Sequence, residues 1–139
     1  MKKLLLGSIL ILGVASAATP AFAHHSFAAE YDASKPITLH GKLTKLAWVN
    51  PHGWIYVAVA DTSGKTEEWA VEFGSPNALL RRGLRETDFP LGVDLTVNGY
   101  RAKNGKNIIN GTSVKLPDGR NLFTGSVGTG APGDPGANQ

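Results

Sequence analysis

The sequence contains no cysteine among its 139 residues. Disulfide scaffolds, thiolate zinc sites and cysteine nucleophiles are therefore excluded, because each of them requires a thiol. The chain also lacks a large excess of charge, since 14 Lys and Arg residues face 11 Asp and Glu residues. Without Lys2 and Lys3, which fall in an expected leader, the net charge drops from +3 to +1. Such a balance does not favour nucleic-acid binding.

The familiar catalytic motifs are missing as well. The sequence has no Gly-x-Ser-x-Gly elbow, no His-Glu-x-x-His zinc helix and no phosphate-binding glycine loop. Glu68 and Glu72 share one face of a predicted strand at a four-residue spacing, and we expect both carboxylates to face water. The sequence therefore suggests no enzyme.

The longest apolar run, residues 4–18, covers 15 positions. A membrane-spanning helix needs about 20 apolar residues, so this run is too short to be one. It follows Lys2-Lys3 and precedes Ala21-Phe22-Ala23, which is the pattern of a cleaved secretory signal. We expect a signal peptide over residues 1–23, a periplasmic product that starts at His24, and no integral membrane segment after processing.

The rest of the chain divides into three parts by composition. Residues 24–35 are predicted to be an N-terminal arm, and residues 36–124 a single small domain. Residues 125–139 are rich in glycine and proline and poor in large apolar groups. Such a segment buries too little surface to offset its ordering entropy, so we expect a disordered tail.

Period-2 alternation predicts five strands in the domain. The first begins at Ile37, and its apolar phase slips near Thr44-Lys45, which indicates a bulge in a long bent strand. Two antiparallel strands follow, and two more come after a short helix. That helix is bounded by Ser75 as N-cap and Gly83 beyond its last turn. The predicted fold is all-β with one short helix, a small five-stranded OB-like barrel of order β-β-β-α-β-β.

The histidines suggest a metal site. A mature chain that starts at His24 offers an α-amine and an imidazole on one residue, and nitrogen donors in a plane suit Cu(II). His25 or His52 would supply a further nitrogen. His40 lies on the polar phase of the first strand, so we expect it to be exposed.

A second hypothesis is a ligand-binding surface at the rim of the barrel, where OB-type proteins bind through loops and aromatic side chains. The partner would be a periplasmic protein or a small anionic ligand. The candidate residues come from two turns: Asn50, His52, Trp54, Ser75 and Asn77. We expect a non-enzymatic binding or accessory module, with a periplasmic copper-binding protein as the alternative.

Residues 24–32, His-His-Ser-Phe-Ala-Ala-Glu-Tyr-Asp, together with four later motifs resemble a family of small exported bacterial proteins that is catalogued as a domain of unknown function. The later motifs are Trp48-Val49-Asn50-Pro51-His52, Gly74-Ser75-Pro76-Asn77, Gly99-Tyr100-Arg101-Ala102-Lys103 and Leu116-Pro117-Asp118-Gly119-Arg120. The resemblance implies a periplasmic single-domain protein. It implies no activity, ligand or catalytic residue.

Overall fold

The structure is a computed structural model that describes residues 27–135. The predicted signal peptide, His24 and His25 lie outside the described residues. Within them the chain forms six strands and two short helices, with a 3-10 turn at Glu86–Asp88. The elements are α1 (Phe27–Glu30), β1 (Tyr31–Ala47), β2 (Trp54–Ala60), β3 (Thr66–Glu72), α2 (Pro76–Arg81), β4 (Asp94–Ala102), β5 (Ile108–Lys115) and β6 (Asn121–Phe123).

Strands β1 to β5 are hydrogen-bonded in a closed ring. The antiparallel order is β3-β2-β1-β4-β5, and a parallel pairing of β3 with β5 joins the two ends. This closure leaves no long unpaired edge among the five strands. The all-β prediction with a short helix is confirmed, and the elements follow in the expected β-β-β-α-β-β order. The short strand β6 adds a sixth member next to β5.

Strand β1 is long enough to pair with two neighbours because it bends. Its residues from Tyr31 to Lys42 pair with β4, and those from Lys42 to Ala47 pair with β2. The register shifts between Leu43 and Lys45, which is where the apolar phase of the sequence slips. The predicted bulge is confirmed, and it lets a single strand serve both sides of the ring.

Helix α2 follows the predicted capping. The Ser75 side chain accepts a hydrogen bond from the backbone N–H of Ala78, and Pro76 occupies the first helical turn. Gly83, just beyond the helix, has a φ of 88°, a conformation that glycine adopts without strain. The helix buries Leu79 completely, whereas the adjacent Leu80 is 49% exposed.

The interior of the ring holds one main hydrophobic core. Its members come from all five strands and from the connection that contains α2: Leu39, Leu43, Ile55, Val57, Trp69, Val71, Phe73, Leu79, Leu84, Phe89, Leu95, Val97, Ile109, Val114 and Leu116. His40 points away from this core and is exposed, as expected.

A second, smaller cluster forms where the two ends of the described chain meet. It contains Phe27, Tyr31, Ala102 and Ala131. The backbone N–H of Phe27 donates to the carbonyl of Thr129 at 3.0 Å. In this cluster, residues of the predicted N-terminal arm pack against a residue of the predicted tail.

Residues of the expected arm and of the expected tail contribute to the described structure. Strand β1 starts at Tyr31, inside the expected arm, where Tyr31 pairs with Ala102 of β4. In the tail, residues 125–135 form turns in which Ala131 and Asp134 are buried. Ala131 packs in one cluster with Phe27, which is 104 residues away in sequence.

Candidate functional site

The turn between β1 and β2 is tied to the loop after β3. Gly53 donates to the carbonyl of Gly74 at 3.1 Å, and Phe73 donates to the carbonyl of Gly53 at 2.7 Å. Gly74 in turn donates to the carbonyl of Thr124, and a Cβ at position 74 would lie 2.9 Å from the carbonyl oxygen of Gly125. Three segments that are distant in sequence therefore meet around His52.

His52 belongs to a row of three hydrogen-bonded side chains. Its Nδ1 lies 3.0 Å from Oε1 of Glu72, and the hydroxyl of Tyr31 donates to Oε2 of the same carboxylate. The Glu72 side chain is only 12% exposed and that of His52 is 25% exposed. One carboxylate from β3 thus joins the start of β1 to the β1–β2 turn.

The expectation that Glu72 faces water is wrong. Alternation along β3 correctly places Glu72 on the face opposite the buried Val71, but that outer face is covered locally. Tyr31 approaches from the start of β1, and His52 approaches from the turn. Glu68, by contrast, is exposed and accepts a hydrogen bond from the hydroxyl of Thr44 at 2.9 Å.

Sequence reasoning missed both Glu72 and Tyr31 as site residues. Strand alternation separates the inside of the ring from its outside, and it carries no information about what covers the outside. The signal that could have indicated Glu72 is its position at the end of β3, directly before the loop that is hydrogen-bonded to the turn containing His52.

Tyr31 is held in its protonated form. Burial, the hydrogen bond to Glu72 and the negative charge of that carboxylate all raise the pKa of Tyr31 far above its ordinary value. The ring is 5% exposed and stacks on Phe27 with 5.7 Å between ring centroids. Tyr31 is therefore a fixed donor that keeps Glu72 in place.

His52 also lines a groove of about 500 Å³. We call it the His52 groove, and its lining residues are Pro51, His52, Ser75, Ala78, Arg81, Arg82, Ser126 and Val127. They come from the β1–β2 turn, helix α2 with its flanking residues, and the tail. The lining contains two guanidinium groups and an imidazole but no carboxylate.

The two arginines of the groove differ in how they are held. Arg82 donates to the carbonyl of Gly125 at 2.7 Å, and its guanidinium lies 4.8 Å from the centroid of the Phe123 ring. Burial and the neighbouring charge of Arg81 lower the pKa of Arg82. Arg81 is exposed and forms no ion pair with any residue between 27 and 135.

The five rim residues predicted from the sequence do not form one site. His52 and Ser75 line the His52 groove, although the Ser75 hydroxyl already caps α2. Asn50 and Asn77 are exposed and line neither this groove nor the one that contains Trp54. Arg81 and Arg82 also line the His52 groove, although neither is among the five predicted residues.

Trp54 lies in a separate groove of about 460 Å³. That groove also contains Tyr31, and its remaining wall includes Lys103, Asn104 and Ile108. Because Tyr31 lines one groove and His52 lines the other, the Tyr31–Glu72–His52 row runs between them. The imidazole and the indole of the predicted rim therefore face different spaces.

A third groove, of about 520 Å³, contains His40 and Lys115. Its carboxylate, Asp94, is paired with Lys42 at 2.9 Å, and the His40 ring is hydrogen-bonded to the Thr96 hydroxyl at 3.0 Å. The lining of this groove contains a carboxylate, whereas the lining of the His52 groove contains none.

The part of the chain between residues 27 and 135 contains no group of three or more His, Asp or Glu side chains arranged to hold a metal ion. Over the same described range, no helix is long and apolar enough to cross a membrane.

The fold and the site define a small all-β domain whose His52 groove is lined by basic side chains. The chain belongs to DUF6152, a family of unknown function whose family model matches residues 11–112. The predicted resemblance to a family of unknown function is thereby confirmed. No curated protein and no solved structure matches the chain.

Proposed function

We propose that this protein is a non-enzymatic, periplasmic binding module that takes a small anionic ligand in the His52 groove. The observation that supports the proposal is the convergence of Arg81, Arg82 and His52 on one groove without a carboxylate in its lining. Concave sites that carry charge of one sign concentrate ions of the opposite sign, and guanidinium groups match carboxylate and phosphate geometry.

The arginines are placed so that an anion would relieve an unfavourable contact. Arg81 and Arg82 are neighbours in sequence. Burial and the charge of Arg81 disfavour the charged form of Arg82, whereas the charge of Asp134 favours it. A phosphate or carboxylate between the two guanidinium groups would offset this repulsion with charge-assisted hydrogen bonds. Arg82 is already oriented by Gly125 and Phe123, so little further ordering is needed for it to bind.

Export is part of the proposal and is supported by the sequence alone. Residues 1–23 have the charged start, apolar run and small-x-small end of a secretory signal. Intact-mass analysis of protein recovered from a periplasmic fraction tests this directly. The expected mass begins at His24, and retention of residues 1–23 would contradict the proposal.

Calorimetric titration with inorganic phosphate, at fixed ionic strength in a zwitterionic buffer, tests the groove. Arg81→Gln should weaken phosphate binding about tenfold, since a charge-assisted hydrogen bond contributes about 1.5–3 kcal/mol and a tenfold change corresponds to about 1.4 kcal/mol. Arg81 forms no ion pair within the described chain, so its replacement should leave thermal stability unchanged.

Arg85→Gln is the matched control. Arg85 is exposed like Arg81 and lies four residues further along the chain, but it does not line the groove. The control should bind phosphate as the unmodified protein does. Equal weakening by Arg81→Gln and Arg85→Gln would show that net charge, and not the groove, attracts phosphate, and the proposal would then fail.

A further inference from the structure

The imidazole of His52 is held at the groove with one of its nitrogens already bonded. Nδ1 lies 3.0 Å from Oε1 of Glu72, and the hydroxyl of Ser126 lies 3.5 Å from the same nitrogen. Among residues 27–135, Nε2 has no hydrogen-bond partner. Because His52 lines the His52 groove, Nε2 is the ring nitrogen that remains for a ligand.

The contacts of Glu72 decide which nitrogen of the ring carries the proton. An ionised carboxylate only accepts hydrogen bonds, so a nitrogen that is bonded to it must donate. The hydroxyl of Tyr31 donates to Oε2 of Glu72, which leaves Oε1 to accept from Nδ1 of His52. A neutral imidazole that donates from Nδ1 has an unprotonated Nε2. The Tyr31–Glu72–His52 row therefore presents the groove with a hydrogen-bond acceptor.

The other polar side chains of the groove do not have this fixed accepting role. A guanidinium group has N–H donors and no acceptor, so Arg81 and Arg82 suit any oxyanion. The hydroxyls of Ser75 and Ser126 rotate, and each can donate to a ligand or accept from it. An anion that satisfies both arginines and His52 must therefore accept hydrogen bonds on some of its oxygens and donate one from another.

We propose that the His52 groove selects oxyanions that carry a hydroxyl proton, such as hydrogen phosphate, over oxyanions without one, such as sulfate. His52 determines this specificity, and Glu72 is the residue that positions its ring. Hydrogen phosphate and sulfate are both tetrahedral dianions, but only hydrogen phosphate has an O–H to donate to Nε2. A sulfate oxygen in the same place would face the lone pair of Nε2 and leave that nitrogen unpaired. The inference rests on the proposed function, because it requires the anion to bind in this groove.

Calorimetric titrations of the unmodified protein with inorganic phosphate and with sodium sulfate compare the two anions. They are done at pH 8, where histidine is usually neutral, in a zwitterionic buffer at fixed ionic strength. We expect phosphate to bind about tenfold more tightly than sulfate, because an unpaired polar group in a site costs about 1–3 kcal/mol and a tenfold change corresponds to about 1.4 kcal/mol.

Methyl phosphate distinguishes free phosphate from phosphate esters. A phosphate ester loses its last proton near about pH 6, so methyl phosphate has no O–H to donate at pH 8. We expect it to bind as weakly as sulfate. Methyl phosphate that binds as tightly as inorganic phosphate would contradict the proposal, because the hydroxyl proton would then not be what the groove recognises.

Glu72→Gln should reverse the role of His52 without removing a group that touches the ligand. The hydroxyl of Tyr31 would donate to the new amide oxygen, so the amide NH₂ group would donate to Nδ1. Nε2 would then carry the proton and would donate into the groove. We expect the preference for phosphate over sulfate to disappear. The ratio of the two affinities is the readout, because the loss of a negative charge beside the groove strengthens the binding of both dianions.

Glu68→Gln is the matched control. Glu68 is the exposed glutamate on the strand that carries Glu72, and it does not line the groove. Its replacement removes the same charge and should keep the preference for phosphate. The thermal midpoint of each variant shows whether the fold is retained. Long-range ¹H–¹⁵N spectra of the unmodified protein at pH 8 need no variant, and they should show a proton on Nδ1 of His52 and none on Nε2.

Three further results would overturn the proposal. Equal affinity of the unmodified protein for phosphate and sulfate would show that His52 does not select the ligand. A proton on Nε2 at pH 8 would show that the ring offers no acceptor. A folded Glu72→Gln protein that still prefers phosphate would show that Glu72 does not set the proton position. If Arg81→Gln still weakens phosphate binding, these results leave the proposed function intact, so the two failures are distinguishable.

Discussion

Replacement of Tyr31 by phenylalanine tests the row of side chains that organises the site. The ring of Tyr31 is buried and stacked on Phe27, and phenylalanine preserves that packing. The change removes one hydrogen bond to a carboxylate, and bonds to charged groups contribute about 1.5–3 kcal/mol. We expect Tyr31→Phe to lower the free energy of unfolding by about 2 kcal/mol at pH 8.

The same difference should shrink in alkaline solution. The pKa of Tyr31 is raised in the folded state, whereas the unfolded chain has the ordinary value of 10.0. Below pH 10 both states keep the proton, so the contribution of Tyr31 is complete. Above pH 10 the unfolded state loses its proton and the folded state does not, so the contribution falls by about 1.4 kcal/mol per pH unit.

Urea unfolding of both proteins, at pH values from 8 to 11, measures this difference. All other ionisable groups are the same in both proteins, so their effects cancel when the variant is subtracted. A difference of about 2 kcal/mol that stays constant from pH 8 to pH 11 would refute the reasoning. A difference near zero at pH 8 would show that the hydroxyl of Tyr31 does not stabilise the fold.

Two further predictions concern packing. Leu79→Ala should destabilise the fold by about 2–5 kcal/mol because Leu79 is fully buried. Leu80→Ala, on the exposed side of α2, should change the free energy of unfolding by less than about 0.5 kcal/mol. Equal losses for the two variants in thermal unfolding would contradict this assignment. Gly111→Ala should lower the free energy of unfolding by about 1–3 kcal/mol, because a Cβ there would lie 2.7 Å from a methyl group of Val71. Unchanged urea unfolding would contradict this and would show that the neighbouring side chains move to make room for the Cβ.

The sequence predicted the features that depend on local patterns. The bulge beside Thr44 followed from a slip in apolar phase, and the bounds of α2 followed from Ser75 and Gly83. Both signals arise within a few residues of the feature that they predict. The closed ring was also predicted from the sequence, because closure is one of the few ways in which five strands in this order can hide the edges of their sheet.

The site was harder to predict because its members meet through long-range contacts. Tyr31 and Glu72 are 41 positions apart, and Ser126 and His52 are 74 apart. A single sequence gives the face of each strand but not which distant loop covers it. His52 was therefore recognised as a candidate, whereas Glu72, Arg81 and Arg82 required the structure.

The most direct measurement of the central claim is a phosphate titration followed by ¹H–¹⁵N correlation spectra of the chain that starts at His24. The account predicts that the largest amide shifts belong to residues around the His52 groove, chiefly Gly53, Ala78, Ser126 and Val127. Shifts centred instead on the groove of His40 and Lys115, or spread evenly over all exposed lysines and arginines, would contradict it.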